Sequence, residues 1–481
     1  MTRERNLRQP VHERYKPVAT RAIFGYDNLS TPMIEVEWAV LETFAEVGII
    51  PAAHAALLTP TLKQYLVDKI TTTRMDRVEK HLTGHDIGAL VILIKKYLPP
   101  ELRTYVHLTL TSQDVKDTAA AVMYKRGHVA LKPLIRDVVR LLGEKVHTHR
   151  CDVKMARTHG QYAVPITFGA ELAPTLERIM LNAERMNNRA GKLVGKISGP
   201  VGTYGGQVVI ELGQACGDVS FERRVLDRLR ARKEVCSTQL VLPEALADYL
   251  HACVPFSSSL AQLGRDWRHL SRTEIGEVYE SFTSGQVGSS AMPHKRNPKT
   301  SEHIEGIYTL VKDDYSKALD TLNSDHSRDL TGSCVMRTLP AIVVYVAHQL
   351  ECLLETDGGG ETLIERVCFN TLRAKERVHF EGRPTLAEVM YCGLARAGYA
   401  GNAHRLVSEK VLPFFGCGAW QALEYIAWRE QDPALCAALK MFPQKAKELL
   451  QLNYAENYLG EAEQIASIVA ARAVGFVASY Q

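Results

Sequence analysis

The densest chemistry in this 481-residue chain lies between Gly285 and Pro298, in the string Gly-Gln-Val-Gly-Ser-Ser-Ala-Met-Pro-His-Lys-Arg-Asn-Pro. Gly285, Gly288, Ser289 and Ser290 give the composition of a loop that closes over a substrate and excludes water. Lys295, Arg296 and Asn297 follow with cationic and amide groups suited to carboxylates. Pro298 fits the first turn of a helix carrying Glu302. A second group of hydroxyls, Thr111 and Ser112, stands where a long helical pattern begins. A carboxylate is well accommodated at a helix N-terminus, and Thr or Ser there is also an ordinary N-cap; one residue can do both.

These groups need a scaffold, and the dominant pattern is helical. Leu172, Leu176, Ile179, Ala183 and Met186 recur at steps of four and three, with Glu177, Arg178, Glu184 and Arg185 on other faces, which predicts an amphipathic helix. A second pattern runs from Asp117 through Val122, Val129, Leu134, Val138 and Leu141, with a kink or break expected at Gly127 and Pro133. A third runs from Pro340 through Ile342, Val346, Leu350 and Leu353, with the broad apolar face of a helix buried in a bundle. Five glycines between Gly195 and Gly206 predict a tight loop or short hairpin. The run Asp357-Gly358-Gly359-Gly360 predicts a domain boundary, and a short β-branched stretch at His107–Thr111 marks another change.

Composition excludes several classes of function. Hydrophobic residues make up 46% and charged residues 23%, enough for a packed core and against global disorder. The formal charge of +4 is small for this length, and aromatics are 7%, which argues against a nucleic-acid partner. Met1–Arg14 is charged and lacks an apolar core, so no secretory signal is expected. No uninterrupted apolar run of roughly 18 residues exists, so no membrane span is expected. The ten cysteines are scattered without a C-x-x-C pair, which fits thiols in a reducing cytoplasm and offers no metal-ligand spacing.

The stretch Gly288–Pro298 resembles the signature of the fumarase/aspartase superfamily, and its Ala-Met-Pro-His-Lys-Arg-Asn form is most similar to the adenylosuccinate lyase family. Two further blocks agree: Thr109-Leu-Thr-Ser-Gln-Asp-Val-Lys-Asp-Thr118 and Arg157-Thr-His-Gly-Gln-Tyr-Ala-Val-Pro-Ile-Thr-Phe-Gly169. Weaker matches are Arg14-Tyr15, Gly84-His85-Asp86, Ser237-Thr238-Gln239, and Arg328-Asp329 through Ser333 to Arg337. The resemblance implies an all-α, three-domain fold with a long central helical bundle, divided as 1–108, 109–360 and 361–481. It implies a cytoplasmic homotetramer whose active sites are shared between subunits, acting on a small-molecule succinyl-nucleotide without cofactor or metal.

The implied reaction is an anti β-elimination that breaks a C–N bond of a succinyl adduct and releases fumarate. By resemblance Ser289 is the base, its alkoxide stabilised by neighbouring N–H groups and Lys295, and His159 is the general acid. His85 is the second histidine. Lys295 and Asn297 hold the developing dianion, and Glu302 orients Lys295 or a histidine. Asp86, Thr111, Ser112, Thr158, Gln239 and Ser290 are implied substrate contacts. Arg14, Arg328, Ser333 and Arg337 match phosphate-holding positions, where guanidinium groups suit bidentate binding, and Tyr15 meets the ribose phosphate. Three departures concern the larger half of the substrate. Pro243 stands where the family usually carries arginine, Thr331-Gly332-Ser333 replaces a common Ser-His-Ser, and Gly84 replaces a basic or polar residue. They touch the leaving group and not the elimination, and leave as alternative a sister lyase or cycloisomerase acting on a small polycarboxylate or substituted aspartate; a binding protein that kept the fold and lost activity is argued against by Ser289, His159, Lys295 and Glu302.

Overall fold

A computed structural model describes residues 15–282, 291–357 and 359–480. Arg14, Ser289 and Ser290 therefore lie outside the described residues. Helices carry the fold, as the all-α reading expects. The principal ones are α1 (Ser30–Glu46), α2 (Asp86–Tyr97), α3 (Ser112–Thr148), α4 (Phe168–Ala190), α5 (Glu244–Leu270), α6 (Lys299–Leu319), α7 (Pro340–Leu354), α8 (Thr371–Glu381) and α9 (Ala462–Ser479). Strands among the described residues form only two-stranded pieces. β1 (Val153–Thr158) and β2 (Gln161–Thr167) make an antiparallel hairpin. Val194–Gly195 pairs in parallel with Arg232–Lys233, and Val278–Glu280 pairs antiparallel with Val367–Phe369. The glycine-rich stretch after Val194 is a loop, as expected, as far as Tyr204, but Gly205 and Gly206 open a short helix, Gly205–Val209, and the strand partner of Val194–Gly195 lies in parallel nearly forty positions on.

The chain packs as two compact units. The first comprises Met1–Ile135, Leu181–Ala261 and His303–Cys352; the second comprises Arg136–Met180, Gln262–Glu302 and Leu353–Gln481. In the first unit α1 is buried on nearly every side. Its Trp38, Val40, Leu41 and Phe44 join Ile87, Leu90, Leu93 and Ile94 of α2 in one apolar cluster with Phe221, Val225 and Leu226. Phe44 stacks on Phe221 with ring centroids 4.8 Å apart. Glu37, also buried, faces His107: its carboxylate lies 2.6 Å from the His107 Nδ1 and accepts the His107 N–H at 3.0 Å. That pair fixes the turn leading into α3, where His107 and Thr109 both have positive φ.

Of the kink or break expected at Gly127 and Pro133 in the pattern from Asp117, a break does not occur. α3 is one helix of 37 residues that begins five positions earlier and contains Pro133. Pro133 forfeits a hydrogen bond to the preceding turn, a cost of about 3 kcal/mol. Val115, Val122, Leu131, Ile135, Val138 and Leu142 are all buried along the same helix. Each contributes about 1.5–3 kcal/mol, which outweighs the proline. Gly127 is not a breaker either. A Cβ there would meet the Phe24 ring at 2.6 Å, so glycine allows the N-terminal segment to lie close against α3.

In the second unit the hairpin packs on α8 through Met155 and Val378. A separate apolar cluster joins Leu386, Met390 and Leu394 to Trp420, Leu423, Ile426, Leu435 and Leu450. α9 buries Ala462, Ala466, Ala470, Ala473 and Phe476, one face at helical spacing, and leaves Ile465, Ile468 and Val474 exposed. By length and composition α9 is apolar enough to cross a membrane, which the reading of the sequence did not expect. It also carries Glu463 and Arg472, and Arg472 pairs with Glu177 at 2.8 Å.

Candidate active site

The first unit gathers residues from four separated blocks around the start of α3. Asp114, fully buried, is the organising group. Its carboxylate accepts the N–H of Thr111 at 2.8 Å, of Ser198 at 3.0 Å and of Gly199 at 3.1 Å. It also meets Lys196 Nζ at 2.5 Å, and Lys196 is itself buried. A buried ion pair is tolerated when hydrogen bonds satisfy the remaining lone pairs, as they do here. The pair clamps the Lys196–Gly199 loop to the helix start and sets the positions of Thr111 and Ser112.

His85 caps α2: its Nδ1 accepts the Gly88 N–H at 3.1 Å. In the neutral ring the proton then sits on Nε2, which lies 3.4 Å from Ser112 Oγ. Gly84 precedes it at φ +62°, where a side chain would be strained, so a basic residue at this position would need a different turn. Asp86 is paired with Lys116 at 2.7 Å and lies 3.9 Å from Arg337. Burial pushes its carboxyl up, but the hydrogen bond and charge of Lys116 and the Ile87 N–H outweigh burial and hold it below its ordinary value. Arg328 donates to Gln239 Oε1 at 3.3 Å, and Gln239 Nε2 donates to Thr111 Oγ1 at 3.4 Å. These are long bonds, yet they form a continuous relay from residue 328 through 239 to 111.

A cleft of about 330 Å³ opens beside this relay. Its polar wall includes Asp86, Lys116, Arg328, Ser333 and Arg337, and its apolar wall includes Met33, Met75 and Met123. Asp117 also lines it; burial pushes its carboxyl up to about 6, against the Val241 N–H and the charges of Lys196 and Arg328. A smaller cavity of about 100 Å³ is lined by Pro243, Arg328, Gly332 and Ser333, so two of the departures from the family pattern share one wall. Thr331 and its neighbours are held by Asp329, which accepts the Asp325 and Thr331 N–H groups at 2.7 and 2.6 Å. Tyr15 packs elsewhere in this unit, on the rings of His303 and His348.

The second unit holds Thr158, His159, Lys295, Asn297 and Glu302. His159 and Gly160 are the two turn residues between β1 and β2, with φ of +53° and +77°. Two positive φ values define the tight turn whose twist suits a hairpin, and glycine at the second position removes its steric cost. His159 is consequently exposed at a hairpin tip. The hairpin is anchored behind it. Arg157 makes a two-pronged bond to Glu277 at 2.9 and 2.6 Å, Lys154 lies 3.3 Å from the same carboxylate, and Arg377 donates to Tyr162 Oη at 2.5 Å. Burial pushes Glu277 up, but Arg157 and Lys154 prevail and keep it below its ordinary value.

Lys295 closes a turn with its N–H on the Met292 carbonyl at 3.0 Å, with Pro293 at the second turn position. Its side chain is exposed. Asn297 is half-buried, and its carbonyl accepts the Lys299 N–H at 2.9 Å. α6 starts at Lys299, one residue after Pro298, and Glu302 is exposed in its first turn, where a negative charge is favoured.

A family model described as lyase matches residues 22–312. The adenylosuccinate lyase of Pyrococcus abyssi is 30% identical over 463 residues, which is 95% of this chain and 96% of that protein. The chain belongs to the adenylosuccinate lyase family. The adenylosuccinate lyase of Bacillus subtilis is 34% identical over 340 residues, 70% of this chain and 75% of that one. A solved structure of 3-carboxy-cis,cis-muconate lactonizing enzyme from Pseudomonas putida superposes with a TM-score of 0.75 at 23% identity, covering 97% of this chain and 100% of that one. It shares the fold of this adenylosuccinate lyase family member. The reading of the sequence had passed over Asp114, Lys116 and Lys196. Asp114 and Lys116 stood inside a recognised block, and only Lys196 lacked a local signal.

Proposed function

We propose that the chain catalyses the β-elimination that splits N6-(1,2-dicarboxyethyl)-AMP into AMP and fumarate, and the matching cleavage of the succinylated aminoimidazole-carboxamide ribotide. The cleft beside α3 carries this reading. It sets Lys116, Arg328 and Arg337 beside Ser333 and an apolar methionine wall, with the carboxylates of Asp76, Glu79, Asp86 and Asp117 in the same lining; the cations and Ser333 suit a phosphate, and the methionines a flat base. The names of the relatives support the same substrate.

In this reading Ser289 removes the proton from the carbon beside a succinyl carboxylate. The electron pair moves into that carboxylate, where Lys295 and Asn297 offset the charge. The C–N bond breaks, and His159 gives its proton to the departing nitrogen. His85 donates from Nε2, and Thr111, Ser112, Thr158, Gln239 and Ser290 hold the substrate's polar groups. Arg14, Tyr15, Arg328, Ser333 and Arg337 serve the phosphate end, Asp86 positions Lys116 and Arg337, and Glu302 orients Lys295. We also propose the three-domain division at residues 108 and 360, a cytoplasmic location, and a homotetramer with shared sites; the exposed apolar residues of α9 are consistent with a partner chain there.

The test is turnover of adenylosuccinate by the purified chain, followed by ultraviolet absorbance. Fumarate release with wild type and its loss in Ser289→Ala, with binding kept, is the expected result. Release from a small substituted aspartate, with adenylosuccinate untouched, would replace this reading by the sister-lyase one.

A further inference from the structure

The three residues His303, His348 and Cys352 have no part in the proposed chemistry, although Tyr15, assigned above to the phosphate end, packs on both histidines. His348 and Cys352 are one turn apart on α7, and His303 comes from α6, within the same compact unit. The two Nε2 atoms lie 3.1 Å apart, and Cys352 Sγ lies 3.7 Å from His348 Nε2. All three ligand atoms fall within 4.8 Å of one another. Zn–N bonds of about 2.0–2.1 Å and Zn–S bonds of about 2.3 Å at tetrahedral angles place N and N about 3.3 Å apart, and N and S about 3.6 Å apart. The two separations measured from His348 Nε2 match these within a few tenths of an ångström, and the third, between His303 and Cys352, is no more than 4.8 Å.

The scaffold behind the cluster is rigid. Gln349, next to His348, is fully buried; it donates to the Ile304 carbonyl at 2.9 Å and accepts from Ser257 Oγ at 2.7 Å. Ile304 adjoins His303, so neighbours of both histidines are bonded to each other and the two helices keep their register. The Tyr15 ring covers the pair, with centroids 5.2 Å from His303 and 4.7 Å from His348. The N-terminal segment is fastened to α7 again where the Ala19 N–H donates to Glu351 at 3.1 Å.

We propose that His303, His348 and Cys352 supply three ligands of a binding site for one zinc ion. Two imidazoles and one thiolate are a donor set of intermediate softness that suits zinc. Without the ion, one Nε2–H donates to the other ring. On binding, that ring shifts its proton to its own Nδ1, and the Cys352 thiol releases one proton as it becomes a thiolate. Spacing along the chain did not suggest a metal, because the third ligand comes from a different helix.

The full-length protein, stripped with a chelator, would be titrated with zinc in competition with a chromophoric chelator, and separately with cobalt. The expected results are one ion per chain, about one proton released per ion, and a thiolate-to-cobalt charge-transfer band. Cys352→Ser should abolish that band and weaken zinc by more than about 100-fold, since even outer partners of a metal site are worth 10–100-fold. His348→Gln should weaken zinc similarly, and Cys436→Ser should leave it unchanged. Circular dichroism checks that each variant folds; should His348→Gln unfold, Cys352→Ser decides alone. Zinc affinity equal in wild type and Cys352→Ser, or a cobalt band that survives in Cys352→Ser, overturns the site.

Discussion

Replacing Asp114 by Asn tests the clamp on which the start of α3 depends. The substitution keeps the shape and removes the charge opposite Lys196, whose Nζ would retain the Gly199 carbonyl at 3.2 Å. Breaking one side of a buried ion pair costs about 3–5 kcal/mol. The Asn carbonyl must also serve the N–H groups of Thr111, Ser198 and Gly199, and each donor left unmade costs about 1–3 kcal/mol. Against a typical total of about 5–15 kcal/mol, this brings the protein close to its limit. Lys196→Met should cost less, because Asp114 keeps its backbone donors. The double variant should recover about 0.5–3 kcal/mol relative to the sum of the singles. Urea unfolding of all four proteins, with the surface change Asp137→Asn as control, gives the cycle. If Asp114→Asn moves the midpoint no further than the control, or the double variant shows the plain sum, the clamp is not what holds this region.

Four shorter tests follow. Asp117 has a folded pKa of about 6 against an ordinary 3.8, so its contribution is fully present below pH about 4 and lost as pH rises through 6. The stability difference between wild type and Asp117→Asn should therefore change by up to about 3 kcal/mol across that window, and a pH series of melting temperatures that runs parallel for the two proteins would contradict it. His159→Asn keeps a residue that tolerates positive φ, so stability should hold while kcat falls about 10²–10⁴-fold; a stable, fully active variant removes His159 as the acid. Gly127→Ala should cost about 1–3 kcal/mol through overlap with Phe24, with partial recovery when Phe24→Ala is added, read from denaturation midpoints. Arg337→Ala, at an exposed position, should leave stability within about 0.5 kcal/mol and raise KM for a phosphorylated substrate; an unchanged KM speaks against phosphate there.

The parts of the fold that were legible in the sequence are those set by local apolar periodicity. α4 and α7 follow from steps of three and four, because such a face is buried whatever packs on it. Gly127 and Pro133 do not break the helix, because their local cost is set against burial that only the folded chain reveals. The His159 hairpin was hidden because its strands are short and mix polar with apolar residues, although His-Gly is itself a turn signal. The reactive blocks were readable as strings. The relay from Arg328 through Gln239 to Thr111, and the pairing of Asp114 with a lysine 82 positions away, depend on chain crossings that no local pattern encodes.

The anchoring of that hairpin also sets a timetable. Arg157 waits 120 positions for Glu277, and Tyr162 waits 215 positions for Arg377. At a synthesis rate of about 5–20 residues per second, the second interval lasts roughly 10–40 s. During that time the growing polypeptide carries a turn already formed by local geometry, with its cationic root still in water. Until Glu277 and Arg377 have been synthesised, residues 153–167 lack the partners that anchor them and gain from protection during synthesis.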